Sequence, residues 1–200
     1  MSSPGVIVGI TGATGAIYGV RLLEWLRRCE VPSHLILTPW GKRTVEHEMA
    51  LPVKEVEALA TTVEHYGDLG SAVSSGSFAT LGMAIAPCSM KTVAAVNAGF
   101  GDNLVTRAAD VVLKERRRLV LVVRETPLSE IHLRNMLELA RMGAVVMPPV
   151  PAFYNHPESI DQMVDYTVAR ILDQFSIPAP WAERWDGKLR RDGGDRTDPS

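Results

Sequence analysis

The chain has 200 residues, of which 46% are hydrophobic and 22% charged, and its formal net charge is −2. This composition predicts a globular domain with a sizeable core and argues against disorder. Without a basic excess, a nucleic-acid partner has little electrostatic support. The two cysteines, Cys29 and Cys88, are too far apart for a CxxC pair. No apolar run approaches the roughly 18 residues that span a bilayer, and the N-terminus lacks a signal-like pattern. We therefore expect a cytoplasmic protein with no membrane partner.

Short β-branched segments alternate with amphipathic ones, which predicts strands and helices in alternation. The predicted strands are Val6–Thr11, Ser33–Thr38, Met83–Pro87, Leu119–Val123 and Ala144–Met147. The predicted helices are Ala16–Arg28, Thr92–Ala98, Asn103–Arg116, Leu128–Arg141 and a last one near Ser159–Phe175. Strands that are apolar on both faces indicate an α/β fold, a parallel sheet covered by helices on both faces. Such sheets bind ligands at the carboxyl ends of their strands, so the loops after these strands are the predicted site.

Residues 1–185 are expected to form one domain, and residues 186–200 a polar, flexible C-terminal tail. The segment Ala50–Ser77 carries a serine-glycine cluster and is expected to be a mobile excursion over the site. Pro148–Tyr154 is expected to be a stiff loop, because its prolines fix φ.

The first strand runs into Gly12-Ala13-Thr14-Gly15. Glycines there let backbone amides approach an anion at the next helix N-terminus, although they also suit a tight turn needed only for packing. The motif alone does not choose between flavin and nicotinamide. The second strand ends Thr38-Pro39-Trp40, without the acidic residue or arginine of a nicotinamide site. A dehydrogenase is therefore the weaker interpretation.

Two further strand-to-helix junctions carry polar side chains. In Pro87–Thr92, Ser89 is either a helix N-cap or one of a set of hydroxyls that contact a cofactor, and Cys88 is interpreted as a buried thiol. In Arg124–Pro127, Arg124 and Glu125 form either a surface ion pair or a phosphate grip with a proton relay. Thr126 and Pro127 are predicted to start the next helix.

The remaining charged residues give weaker signals. The cations Lys114–Arg118 at a helix C-terminus are typical of a solvated helix end. No His, Cys and carboxylate cluster has metal-ligand spacing, so no metal site is predicted.

Six segments together resemble the UbiX-type flavin prenyltransferases, in the branch associated with phenolic-acid decarboxylases. They are Gly12–Gly15, Ser74–Ser77, Pro87–Thr92, Arg107–Arg117, Val123–Pro127 and Pro148–Tyr154. The resemblance runs from about Val6 to Trp185. It implies a Rossmann-like or flavodoxin-like sheet, a homo-oligomer that is commonly a dodecamer, and a metal-independent transferase. The implied substrates are reduced FMN and dimethylallyl monophosphate. The implied product is prenylated FMN, joined at N5 and C6, for a UbiD-type decarboxylase.

The resemblance also implies roles for individual residues. Carried onto this chain, the FMN contacts are Gly12, Ala13, Thr14, Thr38, Ser89, Met90, Lys91, Thr92 and Arg124. The prenyl phosphate is implied to meet Tyr154 and Arg170, together with Lys114, Arg107 and Glu48 from neighbouring chains. Trp185 resembles an aromatic residue that closes over the site, and Glu125 and Thr14 are the implied proton acceptors. Pro39 stands where lysine is usual in the family, which puts the flavin contacts at 38–39 in question.

Two other functions are carried as alternatives. One is an FMN-dependent decarboxylase of the cysteine-decarboxylating group, which would release CO₂ without a partner protein. The other is a non-enzymatic flavin carrier or decarboxylase subunit, which would act only in stoichiometric complex.

Overall fold

A parallel sheet forms the centre of the computed structural model, which describes residues 4–182 and 184. Its strands are β1 (Gly5–Ile10), β2 (Ser33–Leu37), β3 (Thr62–Glu64), β4 (Thr80–Cys88), β5 (Arg118–Val123) and β6 (Val145–Val146). They lie in the order β3-β2-β1-β4-β5-β6, all parallel, with Val8 of β1 between Leu35 and Ala84. This is the doubly wound order in which the topology reverses between β1 and β4. The predicted fold class is confirmed.

Helices cover both faces of the sheet. In the described residues they are α1 (Ala16–Arg28), α2 (Pro39–Met49), α3 (Val53–Glu57), α4 (Met90–Asn97), α5 (Leu104–Lys114), α6 (Glu130–Arg141) and α7 (Ile160–Asp173). One buried core joins the sheet to α1 and α7, through Leu23 and Val168 among others. A second core on the opposite face joins it to α4, α5 and α6, through Val93, Val105 and Leu139. Two such faces account for strands that are apolar on both sides. Over the described part of the chain, none of the helices is long and apolar enough to cross a membrane.

The predicted elements agree closely with the observed ones, and α1 has the predicted bounds. The largest difference, three residues, is at the start of β4, which begins at Thr80 rather than Met83. The sequence analysis did not identify α2, α3 or the edge strand β3. The expected tail over 186–200 lies outside the described residues.

The expectation for Ala50–Ser77 was wrong in one respect, because this segment is not simply an excursion over the strand ends. It contains α3, β3 and a 3₁₀ turn at Ala72–Ser74. The Arg117 guanidinium, one residue before β5, donates to the carbonyl oxygens of Gly76 at 2.8 Å and Phe78 at 2.7 Å. The serine-glycine cluster is therefore fixed at the amino edge of the sheet, opposite the predicted site.

Candidate functional site

The loops after β1 and β4 are joined at the point where the sheet topology reverses. The Thr11 hydroxyl donates to the Pro87 carbonyl oxygen at 2.8 Å and accepts from the Ser89 amide at 2.9 Å. These loops bound the crevice in which a doubly wound sheet binds its ligand. In this crevice Gly12 and Thr14 are exposed and Ala13 is half-buried. The structure therefore places the predicted loop where a ligand would reach it.

A carboxylate of the same chain occupies the N-terminus of α1. The amides of Gly15 and Ala16 both donate to Glu48 Oε2, each at 2.9 Å. Gly15 has φ +98°, a left-handed conformation that glycine adopts readily. The helix dipole favours an anion at this position, and Glu48 supplies one. These two amides are thus already satisfied, and Glu48, which the resemblance assigned to a neighbouring chain's site, contacts its own chain.

The proline after β2 suits its position in the structure. The Thr38 hydroxyl caps α2 by accepting from the Gly41 amide at 2.9 Å, and Pro39 is the first helical residue, where no amide is needed. The next residue, Trp40, packs on the β1 loop: a Cβ at Gly12 would lie 2.5 Å from Trp40 Cβ. Trp40 itself is 66% exposed. Sequence reasoning missed Trp40, because its contact with Gly12 depends on how two loops meet.

The junction after β4 is a capped helix start with an exposed cation. The Ser89 hydroxyl accepts from the Thr92 amide at 3.4 Å, so the N-cap interpretation is confirmed. Met90 and Thr92 are buried, whereas Lys91 is exposed. Cys88 is fully buried, and this burial raises the pKa of its thiol well above the usual range. The thiol therefore stays protonated at neutral pH and is unsuited to be a nucleophile.

Arg124 and Glu125 lie at the same edge of the sheet. The Arg124 amide donates to the Cys88 carbonyl oxygen at 3.2 Å, which places the β5 loop beside the β4 loop. Both side chains are exposed, and Glu125 Oε1 accepts from the Thr126 amide at 3.1 Å. Within the described residues neither side chain forms an ion pair, so the surface-pair interpretation does not hold. The β4 and β5 loops, with these two charged residues, therefore meet at the carboxyl edge of the sheet.

The predicted helix start at Thr126 and Pro127 was wrong. Helix α6 begins at Glu130, and Ser129 is its cap. The Ser129 hydroxyl accepts from the His132 amide at 3.3 Å, and His132 Nδ1 accepts from the Ser129 amide at 3.3 Å. This reciprocal pair is a capping box in which histidine takes the place of glutamate. The capping box thus gives hydrogen-bond acceptors to two amides at the start of α6, the role that was expected of Thr126 and Pro127.

Lys114 lies at the opposite edge of the sheet from Arg124. Helix α5 ends at Lys114, and β5 begins at Arg118 and ends beside Arg124. Five residue steps along β5 span about 17 Å. The Lys114 ammonium contacts Glu115 and packs near Gly76 at the amino edge. One chain therefore cannot bring Lys114 to its own strand-end loops.

Arg107, the other predicted cation of α5, lies nearer the start of that helix. Its guanidinium pairs with Asp110 at 2.8 Å, and both side chains are about two-fifths exposed. A pair this exposed is weak, so the guanidinium remains available for an anion.

Tyr154, in the loop before α7, and Arg170, on α7, belong to a second cluster. The hydroxyls of Tyr154 and Tyr166 share a hydrogen bond, and their rings meet edge to face with centroids 6.1 Å apart. Burial is the first cause that raises the pKa of Tyr166, and its hydrogen bond to Tyr154 is the second. Arg170 follows one turn later and donates to Asp173 at 2.7 Å. The structure thus brings the two predicted phosphate contacts to one helix face.

This cluster also lies away from the strand-end loops of its own chain. Helix α7 runs parallel to α1, because Arg21 pairs with Asp161 at 2.7 Å while Trp25 donates to Asp165 at 2.9 Å. Helix α1 starts at the carboxyl edge of the sheet. Arg170, ten positions into α7, is therefore level with the C-terminal end of α1, towards the amino edge.

A cavity of about 520 Å³ lies between α1, α7 and the proline loop. Its lining includes Trp25, Ala152, Met163, Tyr166 and Trp181, and it contains none of the strand-end residues described above. No group of three or more His, Cys, Asp or Glu side chains in the described residues could hold a metal ion. Trp185, the predicted closing aromatic, lies outside the described residues.

Comparison with known proteins places these features in context. The family model described as Flavoprotein matches residues 1–172. A probable UbiX-like flavin prenyltransferase of Streptomyces sp. (strain D7) is 62% identical over 183 residues, which are 91% of this chain and 92% of that protein. Flavin prenyltransferase UbiX of Escherichia coli (strain K12) is 52% identical over 185 residues, 91% of this chain and 98% of that protein.

Solved structures agree with these relatives. A crystal structure of AnUbiX (PadA1) in complex with FMN and dimethylallyl pyrophosphate is 51% identical, with a TM-score of 0.92 over 94% of this chain and 100% of that one. A dodecameric FMN-dependent UbiX-like decarboxylase from Escherichia coli O157:H7 is 55% identical, with a TM-score of 0.89 over 92% of this chain and 100% of that one. The FMN-dependent cysteine decarboxylase TvaF, at 15% identity and a TM-score of 0.62, shares the fold alone.

Proposed function

This chain belongs to the UbiX-like flavin prenyltransferases, and from that premise we propose how its residues join a dimethylallyl group to reduced FMN. It is a transferase and a flavoprotein. The observation that carries the proposal is the convergence of the β1, β2, β4 and β5 loops on one edge of the sheet, at the switch point. The cysteine-decarboxylase alternative is not favoured, because those proteins are far less similar than the prenyltransferases.

The strand-end loops carry the hydrogen-bond donors and cations that a flavin mononucleotide needs. The backbone of Gly12–Thr14 is open at the crevice, and the Thr14 hydroxyl is exposed. Lys91 supplies a cation for its phosphate, and Arg124 supplies one beside the flavin ring; both residues are exposed. Trp40 presents an exposed ring beside Gly12. We assign the FMN contacts to Gly12, Ala13, Thr14, Thr38, Ser89, Met90, Lys91, Thr92 and Arg124.

The allylic phosphate subsite is completed between chains in this proposal. Lys114 lies at the amino edge of its own chain, and β5, which spans about 17 Å, separates it from Arg124. The Tyr154–Arg170 cluster also lies towards the amino edge of its own chain. They reach a strand-end crevice only when they come from a neighbouring chain. A homo-oligomer, such as the dodecamer formed by the relative from Escherichia coli O157:H7, supplies such neighbours. Arg107 adds a cation there, and Trp185 is the proposed closing side chain.

The residues act by stabilising charge and holding protons. When bound, reduced FMN supplies the nucleophilic ring positions N5 and C6. Arg124, Lys114 and Arg170 stabilise the phosphate that leaves as the allylic carbon–oxygen bond breaks, and each such donor is worth on the order of 3 kcal/mol when removed from other enzymes. Glu125 and Thr14 are the proposed acceptors of the ring proton. Glu48, beside Thr14 at the α1 N-terminus, adds a fixed negative charge that favours the allylic cation.

The proposal extends to substrate form, product recipient and location. The proposed allylic substrate is dimethylallyl monophosphate, whose single phosphate the cations Arg124, Lys114 and Arg170 would bind. The product passes to a UbiD-type decarboxylase. We propose a cytoplasmic location, because the unpaired cysteines Cys29 and Cys88 suit a reducing compartment.

Anaerobic incubation with reduced FMN and dimethylallyl monophosphate tests this function. Mass spectrometry of the flavin should show a gain of one C₅H₈ unit, in many turnovers per chain. Unchanged FMN would contradict the assignment, and a flavin converted only once per chain would favour a carrier. Arg124→Ala should abolish most turnover, whereas Arg134→Ala on the exposed face of α6 should leave it unchanged.

A further inference from the structure

One carboxylate at the end of α7 holds two guanidinium groups. Asp173 Oδ2 accepts from Arg170 Nη1 at 2.7 Å and from Arg184 Nη1 at 3.1 Å, and Oδ1 accepts from Arg184 Nη2 at 2.7 Å. The Arg184 contact is therefore bidentate, the strongest geometry for such a pair. The Asp173 side chain is 19% exposed, against 48% for Arg170. Hydrogen bonding from Arg184 is the first cause that lowers the pKa of Asp173, so the carboxylate is charged at neutral pH.

The described residues after α7, 177–182 and 184, are held at two points. Trp181 stacks on Trp25 of α1, with ring centroids 3.5 Å apart and planes 6° from parallel. Three residues later Arg184 binds Asp173 of α7. The segment thus crosses the α1–α7 pair and ends beside Arg170.

Arg170 is held by this arrangement without being fully neutralised. Two guanidinium groups share one carboxylate, which leaves a net charge of about +1 at the end of α7. The Arg170 guanidinium donates from Nη1 to Asp173, and its positive charge opposes the burial that raises the pKa of Tyr166. A phosphate dianion that binds at this face of α7 therefore meets a guanidinium group, that of Arg170, which is already oriented.

We propose that Asp173 is a positioning residue of the prenyl-phosphate subsite, which orients Arg170 and holds Arg184 beside it. This inference rests on the proposed function, since it assigns Arg170 to the allylic phosphate. Asp173 does not contact the substrate itself. Its effect should therefore fall on the allylic phosphate and leave the flavin unaffected.

Steady-state kinetics of Asp173→Asn test the proposal, with Asp161→Asn as the matched control. Asp161 lies on the same helix and pairs with Arg21 at 2.7 Å, far from Arg170 along the helix. Asp173→Asn should raise KM for dimethylallyl monophosphate about fivefold, the loss expected of a well-formed ion pair, with KM for reduced FMN unchanged. Asp161→Asn should change neither. Arg184→Gln leaves the Asp173–Arg170 contact in place and should therefore raise this KM less than Asp173→Asn does. The double variant should be no worse than Asp173→Asn alone, because that substitution already removes the Arg184 contact.

Hydrogen exchange supplies a readout that does not depend on turnover. Amides of residues 177–184 should exchange faster in Asp173→Asn than in wild type or Asp161→Asn. Equal exchange rates in wild type and both variants would mean that the Asp173–Arg184 contact does not hold these residues in place. That result would overturn the proposal even if no prenyl transfer were found. Equal increases in KM for both substrates, or fully additive effects of Asp173→Asn and Arg184→Gln, would overturn the positioning role in an enzyme that turns over.

Discussion

Two inactive variants, Lys114→Ala and Arg124→Ala, should restore each other's activity when their chains mix in one oligomer. In one chain the two residues lie at opposite edges of the sheet, separated by β5, whose five residue steps span about 17 Å. The Lys114 ammonium is held beside Gly76 and Glu115 at the amino edge, so a phosphate at the strand-end loops of the same chain does not contact both cations. If both stabilise the leaving phosphate, each substitution should lower kcat/KM by about 10²- to 10³-fold. When the residues come from different chains and the two variants mix equally, about a quarter of the sites contain both intact residues. Activity should then recover to about a quarter of the wild-type value.

Co-expression with two different tags, followed by tandem purification, isolates the mixed oligomers. Prenylated flavin is then measured by mass spectrometry under anaerobic conditions. The matched control mixes Arg124→Ala with Lys91→Ala, because Arg124 and Lys91 lie on the same edge of one chain. No mixed site in that pair contains both intact residues, so activity should stay low. Recovery in both pairs, or in neither, would refute the reasoning.

Two further predictions concern the loop after β1. Gly12→Ala places a Cβ 2.5 Å from Trp40 Cβ, an overpacking that costs about 1–3 kcal/mol and should lower Tm by about 2–12 °C, with weaker FMN binding. Gly67→Ala, whose Cβ meets only ordinary contacts, is the control in the same thermal-shift assay, and equal loss in both variants would contradict the packing account. Glu48→Ala removes the acceptor at the α1 N-terminus and should cost about 1 kcal/mol, or about 2–4 °C in Tm. Exposed Glu46→Ala should leave Tm unchanged, and an unchanged Tm for Glu48→Ala would rule out the cap.

The helices and strands could be predicted from the sequence wherever buried residues recur at a regular spacing. Helix α1 repeats buried residues at helical spacing, and its predicted bounds matched the structure. Helix α2 escaped prediction because only Gly41 and Val45 of its residues are buried, so it carries no apolar stripe. The edge strand β3 has three residues and is mostly exposed, which leaves no alternation to detect. The start of α6 was misplaced because Thr126-Pro127 resembles a helix start, whereas a histidine completes the actual capping box.

The rule that parallel sheets bind ligands at the carboxyl ends of their strands located the loops of the site. It did not identify which ligand each loop contacts. It placed Gly12, Ser89 and Arg124 at one edge, and the structure has them there. The direction of α5 also follows from the sequence, because a helix that precedes a parallel strand must end at the amino edge, as Lys114 does. The contact of Glu48 with the α1 N-terminus could not be predicted, because it joins residues 33 positions apart through the packing of α1 and α2.

A crystal structure of this chain with FMN and dimethylallyl monophosphate would test the central claim most directly. The account predicts the isoalloxazine ring among the strand-end loops of one chain, beside Gly12 and Arg124. It predicts the allylic phosphate between Arg124 and the Lys114 and Arg170 side chains of neighbouring chains. A flavin bound in the cavity between α1 and α7, or a phosphate contacted by residues of one chain only, would contradict it.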